Sequence, residues 1–319
     1  MKIQKQQAMR NVLIGLSPLI LAAIYFFGWR FIAVYLVVGA AGLLSEWFMS
    51  KRYGYKITES LFVTATLFAL SLPPTIPLWI AAVGIAFGVI FGKMVFGGFG
   101  RNIFNPAITA RAFVYISFGV PMTAHFLSPQ TAVSSFPAGF GVFSSAADSV
   151  AAATPLITKS ADHLSLLLGN VAGSFGETSA VLILLGGLFI IYKKAANWKT
   201  VVSAVVAFLL FQTILWMTDT AQAADPLYAL LSGSFIFAAF FMITDPVSSS
   251  QSTDIGRIIY GAAFGLLTVL IRIFSSWAEG VTFAILLVNM FAPLLDYLIK
   301  EAKKKNKAKR AAIEKGGNA

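Results

Sequence analysis

Residues 31–44 read FIAVYLVVGAAGLL and residues 201–215 read VVSAVVAFLLFQTIL, with no charged side chain in either stretch. A bilayer core about 30 Å thick is crossed by roughly 20 consecutive, mostly apolar residues in a helix. With their apolar flanks, both stretches meet that requirement, and similar runs recur along the chain. The 319 residues are 58% hydrophobic and 12% charged, with a mean hydropathy of +0.80. A soluble domain of this size needs far more charge to cover its surface. The sequence therefore predicts an all-α integral membrane protein.

Working outward from those two stretches, ten transmembrane helices can be laid down, at 12–28, 31–49, 58–72, 77–94, 104–120, 177–192, 199–217, 226–244, 257–275 and 279–299. The amino-terminal MKIQKQQAMRN precedes an apolar run without a small-residue cleavage site, so it introduces a first span rather than a signal peptide. With that terminus inside, Lys51, Arg52, Lys56, Lys93, Arg101, Lys193, Lys194, Lys199, Arg257 and the basic tail all fall on the cytoplasmic side. The other side receives Arg30, Lys159 and Arg272. This asymmetry predicts a multi-pass protein with both termini cytoplasmic.

The order of spans divides the chain into a first five-helix repeat (1–120), an outer loop (121–175), a second five-helix repeat (176–299) and a cytoplasmic tail (300–319), read as solvated and disordered. Five spans on each side of one outer loop make an inverted repeat. Its third span stops at Leu72-Pro73-Pro74 and its eighth at Thr244-Asp245-Pro246. Interrupted helices at matching places of two inverted halves point to a site near the midplane. Gly84, Gly88 and Gly92 of the fourth span, and Gly261 and Gly265 of the ninth, have the spacing that lets helix backbones approach closely.

Composition narrows the chemistry further. The absence of cysteine excludes disulfides and cysteine-ligated iron–sulfur clusters. His125 and His163 lie far apart in the outer connection and form no metal-ligand cluster. The net charge of +11 does not call for nucleic acid, because eight of 24 basic residues sit between Lys300 and Lys315 and most others flank spans. Juxtamembrane basic clusters fix topology and meet anionic lipid. Electrons, if this chain carries them, need an organic cofactor.

The segment 97–113, GGFGRNIFNPAITARAF, holds the most polar groups at membrane depth. Its glycines suit a tight turn, and Pro106 suits the first position of the fifth helix. Asn102 and Asn105 are three apart and on a helical turn would share one face. Buried amides need partners, and Arg111 inside a span marks function or a polar cluster pinning helices together.

This segment resembles the signature of the family that contains the D subunit of the Rnf complex and the B subunit of the sodium-pumping NADH:quinone oxidoreductase. A second resemblance lies in the outer loop. There Asp148-Ser-Val-Ala-Ala-Ala-Thr154-Pro-Leu is similar to the family's flavinylation motif, with the threonine six positions after the aspartate. Asp148, Ala153 and Thr154 match, whereas Ala151 and Ala152 stand where the family commonly has Ser or Thr followed by Gly. A third match is Met242-Ile-Thr-Asp245-Pro-Val-Ser248. The resemblance implies a place in the bacterial or archaeal cytoplasmic membrane, and covalent FMN joined through its phosphate to Thr154 by a flavin transferase. It also implies a second flavin, riboflavin in related subunits, between the helix halves. Asn102, Asn105 and Asp245 are its candidate contacts, and Arg111 is a candidate partner of a reduced flavin or the FMN phosphate.

Within the family, the short stretch 1–11 before the first span points to the Rnf D subunit, coupling ferredoxin and NAD chemistry to Na⁺ or H⁺ movement. Its implied partners are the flavin-bearing G subunit on the outer face, the membrane-embedded A and E subunits, and the C subunit of the same complex. Glu46, Glu59 and Asp296, near inner span ends, read as solvated interfacial acids or as members of an ion path. Two rival readings need no flavin. One is a transporter or channel of urea- or ammonium-channel type, since broken-helix inverted repeats are a transporter architecture, and the other is an assembly scaffold.

Overall fold

The computed structural model describes residues 3–123, 126, 154–159, 161–169, 171–177, 179–220, 223–250, 253–275 and 280–316. The protein is an all-α integral membrane protein; among the described residues the strands, β1 (Ile3–Gln4) and β2 (Ile57–Thr58), form one short parallel pair.

Helix α1 (Gln7–Tyr53) has 47 residues, which would make a straight rod of about 70 Å. Yet Ile3 pairs with Ile57, so α1 folds back on itself. It does so at Gly28, whose φ of 50° and ψ of −128° break the helix in a conformation that glycine tolerates best. The two predicted opening spans are the two arms of α1. There follow α2 (Ser60–Leu70), α3 (Leu78–Val89) running into a π-turn (Ile90–Met94), α4 (Pro106–Ser117) and α5 (Gly119–Thr123). Short helices α6 (Pro155–Thr158) and α7 (His163–Leu168) belong to the long connection. The second half comprises α8 (Ala180–Tyr192), α9 (Trp198–Met217), α10 (Pro226–Leu231) with α11 (Phe235–Phe241), α12 (Asp254–Phe274) and α13 (Gly280–Gly316). Helices α1, α9, α12 and the first 28 residues of α13 are long and apolar enough to cross a bilayer, and α2, α3 with its π-turn, and α8 are shorter apolar helices.

Besides the fold in α1, the described residues show breaks after α2 and within the eighth predicted span whose freed backbone groups meet named partners. After α2, the Phe175 N–H donates to the Leu72 carbonyl (3.1 Å) and Gly176 to that of Leu70 (2.7 Å). Arg30 donates to the carbonyls of Pro74 (2.9 Å) and Ile76. The eighth predicted span breaks internally as well, between α10 and α11 at Gly233 (φ 70°). There Arg272 donates to the carbonyls of Ala229 (2.9 Å) and Ser232 (3.4 Å). Arg30 and Arg272 thus sit on the arginine-poor side because freed carbonyls at membrane depth need donors.

The two halves cross where α1 meets α8. A Cβ built on Gly186 would lie 2.0 Å from the Gly15 carbonyl oxygen, so only glycine permits this approach. The two glycine stripes pack against different partners. Gly88 lies against Pro106 and Ala110 of α4, whereas Gly261 and Gly265 lie against Thr200 and Ala204 of α9. The expected disordered tail is corrected: α13 continues as helix to Gly316. Its Ala-, Lys- and Glu-rich sequence favours helix, and Glu301 pairs with Lys305 one turn on at 3.0 Å.

Candidate functional site

Two of the pockets among the described residues take in residues singled out above, one toward the face that carries β1 and β2 and one toward the opposite face. The first is lined by Asn102, Asn105 and Asp245, three of the residues singled out in the sequence, together with Lys93. Asn105 does not share a helical turn with Asn102, as its spacing suggested. It is the N-cap of α4, with Pro106 at the first helical position. Its side-chain oxygen accepts from the Ala107 N–H (3.0 Å) while its amide donates to the Met242 carbonyl (3.2 Å). One side chain therefore caps the fifth span and ties it to the break after α11. Asn102 stands in the preceding loop, where Gly97, Gly98 and Gly100 all have positive φ, and its amide donates to the Phe104 carbonyl at 2.9 Å. Asp245 accepts from the Ser248 N–H (3.1 Å) and hydroxyl (2.5 Å).

The residue that sequence reasoning missed here is Lys93, counted there among the interfacial cations. It lies in the π-turn, a device frequent at functional sites. Its side chain is 2% exposed. The ammonium donates to Glu46 Oε2 (2.8 Å), Thr58 Oγ1 (2.9 Å) and Ser60 Oγ (3.0 Å). Glu46 is accordingly no solvated acid: it is fully buried and also accepts from the Thr58 N–H at 3.1 Å. Glu59, by contrast, sits at the rim of the bundle, where it holds Arg10 at 2.6 Å and accepts from the Gln6 N–H. Asp296 accepts a hydrogen bond from Ser250, on the same face.

The second pocket takes in Thr154, Tyr115, Phe126, Gly173, Glu177 and Gly233 among its lining. Thr154 precedes α6 with extended backbone (φ −63°, ψ 153°), and its hydroxyl caps none of the helix N–H groups. Asp148 and Ala153 of the same motif lie outside the described residues. Arg111 does not join the asparagines; it lies behind this second pocket, where its guanidinium meets Glu177 Oε1 at 3.5 Å, both side chains being buried. Helix α4 therefore connects the two pockets. Pro106 lines the first and Tyr115 the second, about 14 Å apart along the axis at a rise of 1.5 Å per residue.

Residues 1–305 match the model of the NQR2, RnfD, RnfE family. The B subunit of the Na(+)-translocating NADH-quinone reductase of Pseudoalteromonas atlantica is 39% identical over 285 residues, spanning 88% of this chain and 69% of that protein. Its namesake in Klebsiella pneumoniae is 36% identical over 307 residues, 92% of this chain and 71% of that one. That of Chromohalobacter salexigens is 35% identical over 289 residues, 88% and 68% respectively. The chain belongs to the NQR2, RnfD, RnfE family.

Proposed function

We propose, proceeding from that membership, that the chain is a flavin-carrying membrane subunit of an ion-translocating oxidoreductase complex. Between the two arms of the family, the names of the relatives favour a B subunit of the NADH-quinone reductase type over the Rnf D subunit that the short stretch 1–11 suggested. The observation that carries the flavin reading is Thr154. Its hydroxyl caps no helix N–H, and the residue lines a mostly apolar pocket, the kind of lining that receives a cofactor ring. Tyr115 and Phe126 supply aromatic walls, and Gly173 and Gly233 leave room for backbone contact.

The first pocket suits a second flavin by the same reasoning. The pyrimidine edge of a flavin alternates donors and acceptors, and Asn102, Asn105 and Asp245 offer both kinds of group around one cavity. Bound in these places, flavins would supply electron transfer; the chain's share is position and electrostatics. Asn105 fixes the start of α4 against the α11 break, so one side chain ties the cavity wall to the helix that joins both pockets. Lys93 brings a fixed positive charge to the wall of the first pocket and Glu177 a carboxylate to the second. Ion movement, the other subunits of such a complex and the transferase that loads Thr154 come with the same reading.

The test is in-gel flavin fluorescence after full denaturation, with wild type and Thr154→Ala each co-expressed with a flavin transferase. The expected result is a fluorescent wild-type band that the substitution abolishes. A dark wild-type band, with the transferase active on another substrate, would overturn the covalent-flavin reading. It would trace the failure to Ala151 and Ala152 and favour the flavin-free transporter.

A further inference from the structure

Among the described residues lining the Thr154 pocket, Glu177 is the one charged side chain. Its position is rigidly set. The backbone N–H groups of Phe175 and Gly176, immediately before it, donate into the α2 break, and its own N–H donates to the Ser174 carbonyl at 3.1 Å. A Cβ on Gly176 would lie 2.8 Å from the Leu70 side chain, so this turn is pressed against the break. Phe175 is wedged against Phe27 and Phe31, with ring centroids 5.1 Å away in each case. Behind Glu177 stands Arg111 of α4, 3% exposed against 6% for the acid. Arg111 itself does not line the pocket, so the pair presents its negative end to the cavity.

A buried ion pair contributes little net stability compared with well-packed apolar side chains. What it does supply is a fixed field in a region of low dielectric, where a charge is felt far more strongly than in water. A group in this cavity that gains negative charge on reduction is opposed by the nearby carboxylate and favoured, less strongly, by the more distant guanidinium. We propose that Glu177, held in place by Arg111, is a positioning residue that sets the redox potential of the flavin at Thr154, keeping it low. The proposal rests on the flavin reading of Thr154.

The experiment uses the full chain co-expressed with a flavin transferase, as wild type, Glu177→Gln, Arg111→Gln and the double variant. Loading is read first by denaturing in-gel fluorescence. The midpoint potential of the tethered flavin is then taken by spectroelectrochemical titration, with Thr154→Ala as the baseline for any second flavin. Glu177→Gln should raise the potential and Arg111→Gln should lower it. The double variant should fall above wild type and below Glu177→Gln, because the nearer charge dominates. Packing damage alone would not give opposite signs for two partners of one pair. Shifts of equal sign, or none, overturn the proposal, as does a Glu177→Gln chain that loses its covalent flavin while wild type keeps it. If the single variants fail to fold, the double variant, which leaves no lone buried charge, decides alone: an unchanged or lowered potential sinks the idea. A wild-type chain without covalent flavin removes the underlying reading, an outcome separate from a loaded chain whose potential does not move.

Discussion

Lys93 keeps its charge inside the bundle because Glu46, Thr58 and Ser60 meet its ammonium there with three oxygens. Removing one partner of such a pair leaves a buried charge without compensation, at a cost of about 3–5 kcal/mol. Glu46→Gln is therefore expected to lower the unfolding temperature of the detergent-solubilised protein sharply. Adding Lys93→Met to it should restore part of the loss, since an apolar side chain of similar length removes the stranded ammonium. A double variant less stable than Glu46→Gln alone would refute this account. The burial of Glu46 was legible in principle. Val34, Val38, Gly42, Glu46 and Ser50 are all buried and recur every fourth residue, so the acid continues the inward stripe of its helix. The nearby Lys51, Arg52 and Lys56 masked that phase, because a cluster of charge invites an interfacial reading for every acid beside it. Lys93 was hidden for a different reason: the π-turn shifts the phase of the helix there, and no simple periodicity marks it.

At the scale of elements, close helix crossings set which glycines matter. Gly186→Ala would drive a methyl group into the Gly15 backbone, forcing α1 and α8 apart. Overpacking of this kind costs about 1–3 kcal/mol, with more expected here because the obstacle is backbone. Gly39→Ala, in the second arm of α1 with nothing near its added Cβ, should instead stabilise by about 0.5–1 kcal/mol through lower chain entropy. Thermal unfolding of the two variants in one detergent checks the signs; a destabilised Gly39→Ala would mean that the lipid-facing surface imposes a constraint of its own. The span pattern was readable because each element carries its own apolar run, and the proline-marked stops at Pro73-Pro74 and Asp245-Pro246 fell where expected. The break at Gly233 was not, since Leu231-Ser-Gly-Ser-Phe235 has no proline and its rupture depends on Arg272, some 40 residues away, taking up the freed carbonyl. Asn102 and Asn105 stood out by their polarity at membrane depth and Asp245 by its place at a span stop and in a family-like segment, and the fold brings all three to one pocket. Glu177 carried no such signal, because its pairing with Arg111 is a contact between distant segments.

The whole molecule adds a constraint that no single element carries. The described residues put Thr154 and α7 toward the face where α1 folds back, while β1, β2 and the far end of α13 belong to the other. Moving a lysine or arginine to the bilayer centre costs about 2.5–3.5 kcal/mol by insertion scales, so a bundle with its basic residues concentrated on one face inserts in a single orientation. The basic face should be cytoplasmic and Thr154 external, within reach of an external flavin transferase. The chain contains no cysteine, so one introduced thiol reports alone. Leu164→Cys in α7, where the native side chain is 62% exposed, should react with an impermeant maleimide added to intact cells. Lys307→Cys, on the exposed stretch of α13, should react only after permeabilisation. The reversed pattern would invert the orientation and deny Thr154 an external transferase. Labelling of both from outside would mean an even number of crossings between them, contradicting the odd number that the ten-span reading of the sequence places there. Distinct compartments for the two thiols would instead support that arrangement, with α4 spanning the distance from the Asn105 pocket to the Thr154 pocket.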